Sequence, residues 1–243
     1  MDVYPARHRS GMSPDPDDDA FARTAVRVGA LVSEVLPTLE LTARIGHLRI
    51  VIDPDWLPYP PTIGPAVVDR VIAERSEGMH FAGVRVPWHV AELTPTARAL
   101  LALDVIELVL HRLGDAMGWS PERFDPVREH ALACGLEYRW AGEWKRSPDR
   151  RRRARMAFRI DDDGWGRARL EMETADERQA GDEYRCRADV KQFRRMAKEL
   201  RWAYAEKKFR PFSWAIHDPW APAEPADDST PRPAVVFFQR ARL

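Results

Sequence analysis

Three titratable side chains on one predicted helix have the types and spacing of a metal site or an acid–base site. Asp104, Glu107 and His111 are three and four residues apart, and since a helix turns about 100° per residue they share one side of it. Two carboxylates and an imidazole can bind a divalent cation or exchange a proton with a substrate. The same spacing also fits a solvated stripe in which Glu107 pairs with His111. A metal-dependent hydrolase built on these three residues is therefore one hypothesis, although no recognised ligand spacing accompanies them.

Other sequence features that could support catalysis are weak. Neither Cys134 nor Cys186 has a neighbouring general base in the sequence, and a free cysteine commonly packs as a small apolar residue. The chain contains no Gly-x-Ser-x-Gly, no glycine-rich phosphate loop and no Cys-x-x-Cys. The run Asp161-Asp162-Asp163-Gly164 is typical of a turn, because a calcium loop would need a glutamate where Met172 stands. We therefore expect no cofactor, and nothing in the sequence requires an enzyme.

The segment from residue 150 to residue 172 predicts a two-stranded hairpin rich in arginine. Met156, Phe158 and Ile160 alternate with charged or small residues before the Asp-Gly turn, and the alternation resumes after it. A period of two gives one apolar face and one charged face. Arg153 and Arg155 are expected to face Glu171 and Glu173, whereas arginines facing each other near the turn would need an anion between them.

A basic surface on this hairpin and on the helix after it is the leading candidate for a binding site. Arginines neutralise phosphates, and neighbouring tryptophans at positions 140, 144, 165 and 202 could stack on bases. A solvated face of interleaved charges explains the same pattern. The residues predicted to bind an acidic partner are Arg151, Arg153, Arg155, Arg159, Arg167, Arg169, Arg194, Arg195 and Lys198, with Trp165 as the apolar contact at the hairpin tip.

The charge distribution favours the same region. The chain has 38 Lys and Arg against 38 Asp and Glu, so its overall charge attracts neither a polyanion nor a membrane. Residues 1–135 carry 13 basic and 19 acidic side chains, whereas residues 136–210 carry 22 and 15. The leading hypothesis is a non-enzymatic binding protein with nucleic acid as its partner. An acidic protein surface is the second candidate partner of the same region. The alternative classes are a protein–protein interaction module, such as an immunity protein or a subunit of a larger complex, and the metal-dependent hydrolase.

The elements that must position these residues predict an α+β fold. Thr94 and Pro95 begin a buried central helix over 95–117, and residues 136–190 form a four-stranded antiparallel meander to which further strands are added. Helices are also expected over 20–35, 65–76 and 190–209, and strands over 47–53 and 233–243. Several helices then pack against a mostly antiparallel sheet.

The domain organisation predicted from composition is simple. Residues 1–19 are expected to be a disordered acidic leader, and residues 20–243 a single domain with a sub-boundary near 135 between an acidic and a basic part. No apolar run is long enough to span a bilayer, and two cysteines in 243 residues favour reduced thiols, so a cytoplasmic protein is expected. The sequence does not indicate an oligomeric state.

Overall fold

The computed structural model resolves the chain into two compact units. Unit 1 comprises residues 1–139 and 159–166, and unit 2 comprises residues 140–158 and 167–243. The chain therefore crosses between units near residue 139, close to the change in composition at 135, and the turn of the arginine-rich hairpin belongs to unit 1. The residues described are 2–5, 16–39, 41, 45, 47–52, 67–73, 79–87, 89–147 and 150–201.

Unit 1 is built on helices α1 (Pro16–Val35), α2 (Pro95–Met117) and α3 (Asp125–Ala133). The N–H of Ala97 donates to the Thr94 side-chain oxygen at 3.2 Å, so that α2 begins where the cap signal predicts. Gly118 ends it with φ +74°, a left-handed conformation that glycine adopts without strain. One side of α2 is buried, as expected of a central helix, whereas Leu108 is 37 % exposed. The buried apolar residues are Ala99, Ala102, Leu103, Val105, Ile106, Val109, Leu110 and Leu113.

The sheet of unit 1 contains β1 (Asp2–Pro5), β2 (His47–Ile52), β3 (Val67–Ala73) and β4 (Met79–Arg85), in the order β1-β2-β4-β3. β2 runs parallel to both β1 and β4, whereas β3 and β4 are antiparallel. The helix predicted over 65–76 is wrong, because this segment contains strand β3. Its β-branched residues, Val67, Val68, Val71 and Ile72, favour an extended strand over a helix.

The N-terminal residues correct the prediction of a disordered leader over 1–19. Residues 2–5 form β1, and residues 16–19 form the first turn of α1, while residues 6–15 lie outside the described part. The contacts of Asp17 explain why the acidic residues 17–19 form part of a helix. Its carboxylate accepts the backbone N–H groups of His89 and Ala91 at 2.9 and 2.7 Å, and acidic groups are favourable at the positive end of a helix dipole.

Unit 2 holds most of the second sheet. Its strands are β5 (Tyr138–Ala141), β6 (Lys145–Arg146), β7 (Arg153–Ile160), β8 (Trp165–Glu173), β9 (Arg178–Ala180) and β10 (Tyr184–Arg187). The described sheet has the order β10-β8-β7-β5, to which β6 adds through β7 and β9 through β8. The last described element is helix α4 (Val190–Glu199), which packs through Phe193 on Phe158 with ring centroids 4.7 Å apart.

The fold is of the α+β class, as predicted from the order of helical and strand patterns in the sequence. The helix predicted over 95–117 and the antiparallel meander predicted within 136–190 are both present. The alternation along β7 is confirmed residue by residue, with Ala154, Met156, Phe158 and Ile160 buried. The strand predicted over 233–243 and the end of the helix predicted to 209 lie outside the described residues. Of the helices described, none is both long and apolar enough to cross a bilayer.

Candidate functional site

The hairpin arginines of unit 2 are engaged by the glutamates that the sequence places opposite them. Arg153 pairs with Glu173, and the Nε of Arg155 donates to Glu171 at 2.8 Å. This is the pairing predicted from the alternation of the two strands. Both arginines were also predicted to bind a partner, but much of their charge is neutralised within the protein.

Glu171 is the centre of this charged face. Its carboxylate also accepts from Arg169 at 3.0 Å and from Arg178 at 2.8 Å, and its side chain is only 5 % exposed. Burial acts to raise the pKa of Glu171, but the three guanidinium hydrogen bonds outweigh it and hold the pKa at about 2. Glu171 is therefore covered although it carries a charge, whereas its apolar neighbour Met172 is 36 % exposed.

Trp144 covers the same group of arginines. The guanidinium carbons of Arg155, Arg153 and Arg178 lie 4.5, 4.9 and 5.5 Å from the centroid of its indole ring. Cations at this distance from an indole are attracted by its ring quadrupole. We call Trp144, Glu171, Arg153, Arg155, Arg169 and Arg178 the arginine cluster.

The residues predicted near the hairpin turn have structural roles of their own. Arg159 pairs with Asp161, and the N–H of Trp165 donates to the side chain of Asp163 at 3.0 Å. These residues belong to unit 1. In unit 2, burial raises the pKa of the Cys186 thiol to about 11, partly offset by the positive charge of Arg167. Cys186 is therefore a protonated, buried side chain of β10.

The exposed face of α4 is almost wholly cationic. Phe193 and Ala197 are buried on one side, whereas Lys191, Arg194, Arg195 and Lys198 are exposed on the other. At about 100° per residue these four cations fall within an arc of about 100°, and they extend about 10 Å along the helix axis. Of the four, only Arg195 pairs with a described acidic residue, Glu199, at 3.8 Å.

The turn between β6 and β7 presents three consecutive exposed arginines, at positions 150, 151 and 152. Ser147 orders this turn, because its hydroxyl donates to the Arg152 carbonyl at 2.9 Å and accepts the Arg152 N–H at 3.0 Å. Arg150 has φ +60°, a left-handed conformation that costs free energy for any residue with a Cβ. The backbone thus holds like charges side by side in a fixed turn.

Lys145 connects this turn to α4. Its Nζ donates to the carbonyl oxygens of Lys198 and Leu200 at 2.6 and 2.9 Å, and so satisfies the end of the helix. Desolvation by burial, followed by the nearby charge of Arg201, lowers the pKa of Lys145. Since Ser147 follows two residues later, the arginine turn begins beside the C-terminal end of α4. We call the turn residues Arg150–Arg152 and the α4 cations Lys191, Arg194, Arg195 and Lys198 the cationic surface.

The stripe of Asp104, Glu107 and His111 on α2 does not form a metal site in the structure. Arg128 of α3 donates to Asp104 at 2.8 Å and to Glu107 at 2.6 Å. The Asp104 hydrogen bond, and then the Glu107 one, raise the pKa of Arg128. His111 packs instead on Phe124, with ring centroids 6.1 Å apart. Within the described residues no three His, Cys, Asp or Glu side chains are grouped so as to hold a metal ion.

Cys134, the exposed cysteine, lacks the geometry of a catalytic relay. Its sulfur lies 3.8 Å from Nε2 of His130, and a carboxylate oxygen of Glu34 lies 3.4 Å from that same nitrogen. A relay of nucleophile, base and acid needs the two partners on different nitrogens of the imidazole. The three side chains therefore form a surface contact between α1 and α3 and the residue that follows α3.

The sequence interpretation missed a buried charge network in unit 1. Arg98 of α2 donates through Nε to the Thr24 hydroxyl at 2.8 Å and through a terminal nitrogen to Asp162. Thr24 in turn donates to Asp162 at 2.7 Å, and Arg27 lies 3.5 Å from the same carboxylate. The aspartate of the hairpin turn is thus the counter-ion of two largely buried arginines. Its signal in the sequence is slight: an arginine among the apolar residues of a central helix.

Comparison with known proteins adds no functional information. No protein-family model matches the chain, and neither a curated protein nor a solved structure is similar to it. The cationic surface and the arginine cluster therefore have to be interpreted from their own chemistry.

Proposed function

We propose that this protein is a non-enzymatic binding protein and that its cationic surface engages nucleic acid. The supporting observation is the ordered turn of exposed Arg150, Arg151 and Arg152, which begins beside the C-terminal end of α4. Lys and Arg side chains release counter-ions when they neutralise phosphates, which gives an affinity that depends steeply on salt.

The placement of the α4 cations favours binding over helix stability. Lys191 stands in the first turn, at the positive end of the helix dipole, where an acidic residue would be stabilising. Lys191 with Arg194 and Arg194 with Lys198 are like-charge pairs three and four residues apart, and each such pair costs about 0.2–0.5 kcal/mol. A polyanion bound across this face removes that cost.

The hairpin has a different part in this proposal from the one predicted from its composition. Arg153, Arg155 and Arg169 are bonded to glutamates, so they support the sheet. Among the described cations of unit 2, those with no acidic partner within the described part of the chain include Arg150, Arg194 and Lys198, which lie on the cationic surface. These residues are the ones to substitute.

The test is binding of the purified, nuclease-treated protein to labelled oligonucleotides, followed by fluorescence anisotropy as the salt concentration rises. The double variant Arg150→Gln, Arg194→Gln is expected to bind more weakly and to flatten the slope of log K against log salt by about 2. The matched control is Arg112→Gln, Arg139→Gln, which removes the same charge from exposed positions of unit 1.

The control is expected to bind as the unmodified protein does. Equal weakening of both variants would show that net charge alone, without a defined surface, causes binding. If the protein binds no nucleic acid even at low salt, the proposal fails, and isolation of a stoichiometric acidic protein partner becomes the next experiment.

A further inference from the structure

The cationic surface has two parts that are distant in the sequence, and each part is ordered by contacts of its own. In the arginine turn the N–H of Ser147 donates to the Arg152 carbonyl at 2.8 Å, and the N–H of Arg150 donates to the Ser147 carbonyl at 2.9 Å. In α4 the side chain of Asp189 accepts N–H groups of the first turn, and Phe193 is fully buried. These contacts fix the arginine turn and the first half of α4.

Lys145 holds the last turn of α4 from outside the helix. Its Nζ donates to the Lys198 carbonyl at 2.6 Å and to the Leu200 carbonyl at 2.9 Å. The last carbonyl groups of a helix have no partners within it, and many helices satisfy them through a left-handed residue at this end. Leu200 does not adopt that conformation, since its φ is −54° and its ψ is 128°. The ammonium group of Lys145 therefore supplies donors that the helix end needs, and a positive charge there is favourable for the helix dipole.

The location of this ammonium group is costly for its charged form. Arg201 donates through a terminal nitrogen to the same two carbonyl oxygens. Desolvation by burial, and then the positive charge of Arg201, lower the pKa of Lys145. Position 145 thus loses part of the stability of a charged lysine, and the contact that it gains is the one with α4.

Lys145 belongs to the strand that leads into the arginine turn. In β6 it lies opposite Ala154 of β7, and Arg146 lies opposite Arg153. Ser147 follows directly and makes the hydrogen bonds that close the turn. One strand therefore carries both the arginine turn and the contact with the end of α4.

We infer that Lys145 is a positioning residue of the cationic surface, which fixes the last turn of α4 beside the arginine turn so that both parts contact the same nucleic acid. This inference rests on the proposed function and names a residue that acts on the site through the carbonyls of α4. Groups of cations held at a fixed spacing bind a polyanion more tightly than mobile ones, because less freedom is lost on binding. Loss of the contact is expected to weaken the phosphate contacts of Lys198, in the last turn, and to leave those of Lys191, in the first turn.

The first experiment compares Lys145→Met with Arg146→Gln, since each variant removes one positive charge from β6. Binding of the full chain to a labelled DNA duplex is followed by fluorescence anisotropy as the salt concentration rises. Arg146→Gln is expected to flatten the slope of log K against log salt by about 1 at most. Lys145→Met is expected to weaken binding at least about threefold more than Arg146→Gln does, because it also releases the end of α4.

A conservative variant separates the position of the donor from the general stability of the unit. Lys145→Arg keeps the charge and can donate to both carbonyl oxygens, so it is expected to bind within about twofold of the unmodified protein. Far-UV circular dichroism checks that each variant is folded. If Lys145→Met is not folded, Lys145→Gln, which keeps a side-chain donor, replaces it in the same comparison.

The second experiment tests positioning directly. Lys145→Met is combined with Lys198→Gln in the last turn of α4 and, separately, with Lys191→Gln in the first turn. The pair with Lys198→Gln is expected to weaken binding less than the product of the single effects, because both changes remove contacts of the same turn. The pair with Lys191→Gln is expected to be multiplicative, since Asp189 holds that end of the helix.

Equal weakening by Lys145→Met and Arg146→Gln would overturn the inference, because position 145 would then contribute its charge alone. Multiplicative effects in both pairs would overturn it as well, and in either case the proposed function would stand. If the unmodified protein does not bind the duplex or its separate strands at low salt, the proposed function itself fails, so the two failures are distinct.

Discussion

In unit 1 a buried cation is surrounded by acceptors, whereas in unit 2 a buried carboxylate is surrounded by cations. Arg98 donates to Thr24, to Asp162 and to backbone carbonyls that include that of Ala91, at 3.1 Å. Glu171 accepts from Arg155, Arg169 and Arg178. The charges of the Arg98 network are used within the unit. In unit 2, basic side chains outnumber carboxylates, and several of these basic side chains are exposed on α4 and in the arginine turn.

The two regions therefore illustrate two uses of arginine. A guanidinium with five donors satisfies several buried acceptors at once, and so connects parts of a core that are distant in sequence. Several guanidinium groups around one carboxylate retain a net positive charge, and this charge can attract an anionic ligand. We expect substitutions in the Arg98 network to affect stability alone. Substitutions in the cationic surface are expected to affect binding alone.

A large stability effect is expected at Asp162. Asp162→Asn should lower the free energy of unfolding by about 3 kcal/mol, because it leaves Arg98 and Arg27, each only 11 % exposed in the side chain, without their counter-ion. Urea denaturation followed by far-UV circular dichroism at pH 7 measures this change. Asp163→Asn in the same turn is the control, and its expected cost is below about 0.5 kcal/mol because asparagine can still accept from the Trp165 N–H. Equal costs would mean that the buried pair contributes nothing specific.

Glu171 should give a pH-dependent effect. Its pKa of about 2 in the folded protein lies below the ordinary value of 4.5. The stabilisation is therefore complete above about pH 4.5 and is lost as the pH falls towards 2. Glu171→Gln should cost about 3 kcal/mol at pH 7, since each pKa unit is worth about 1.4 kcal/mol.

The measurement is urea denaturation of Glu171→Gln and of the unmodified protein at several pH values between 7 and 2. The difference between them should shrink as the solution becomes more acidic. Glu173→Gln is the control, because its more exposed carboxylate pairs with Arg153 alone among the pairs described and should cost less than about 1 kcal/mol. A difference that stays constant down to pH 2 would contradict the assignment of the low pKa to Glu171.

Local patterns predicted the elements that depend on neighbours in sequence. The Thr94–Pro95 signal begins α2, and the alternation of β7 and β8 brings Arg153 opposite Glu173. Both features follow from backbone periodicity and from groups within a few residues of each other. The region of the candidate site was predictable for the same reason, since a run of arginines beside an amphipathic basic helix is visible in the sequence.

Features that depend on distant partners were not predictable. Asp162 and Arg98 are separated by 64 positions, and nothing local shows that the turn of the hairpin lies against α2. The parallel pairing of β2 with β4 depends on which strands meet in the fold. Which arginines bond which carboxylate is likewise a property of the three-dimensional arrangement, and nothing in the sequence shows that Arg169 and Arg178 share Glu171 with Arg155.

Two glycines of unit 1 measure how closely the hairpin turn approaches α1. Gly164 and Gly118 have almost the same backbone conformation, with φ +75° and +74°. A Cβ at Gly164 would lie 3.0 Å from the Cα of Arg23, whereas a Cβ at Gly118 would have no atom within 4 Å. Gly118→Ala should therefore cost only the left-handed strain of about 1 kcal/mol, and Gly164→Ala about 1 kcal/mol more.

The same pair of glycines tests whether the Asp162 network depends on that close approach. If a methyl group at position 164 displaces the turn, it also weakens the bond between Asp162 and Arg98. The double variant Asp162→Asn, Gly164→Ala should then cost less than the sum of the single variants, because both remove the same interaction. Asp162→Asn combined with Gly118→Ala should be additive. Additivity in both double variants would mean that the carboxylate reaches Arg98 without the tight turn, and that position 164 reports steric strain alone.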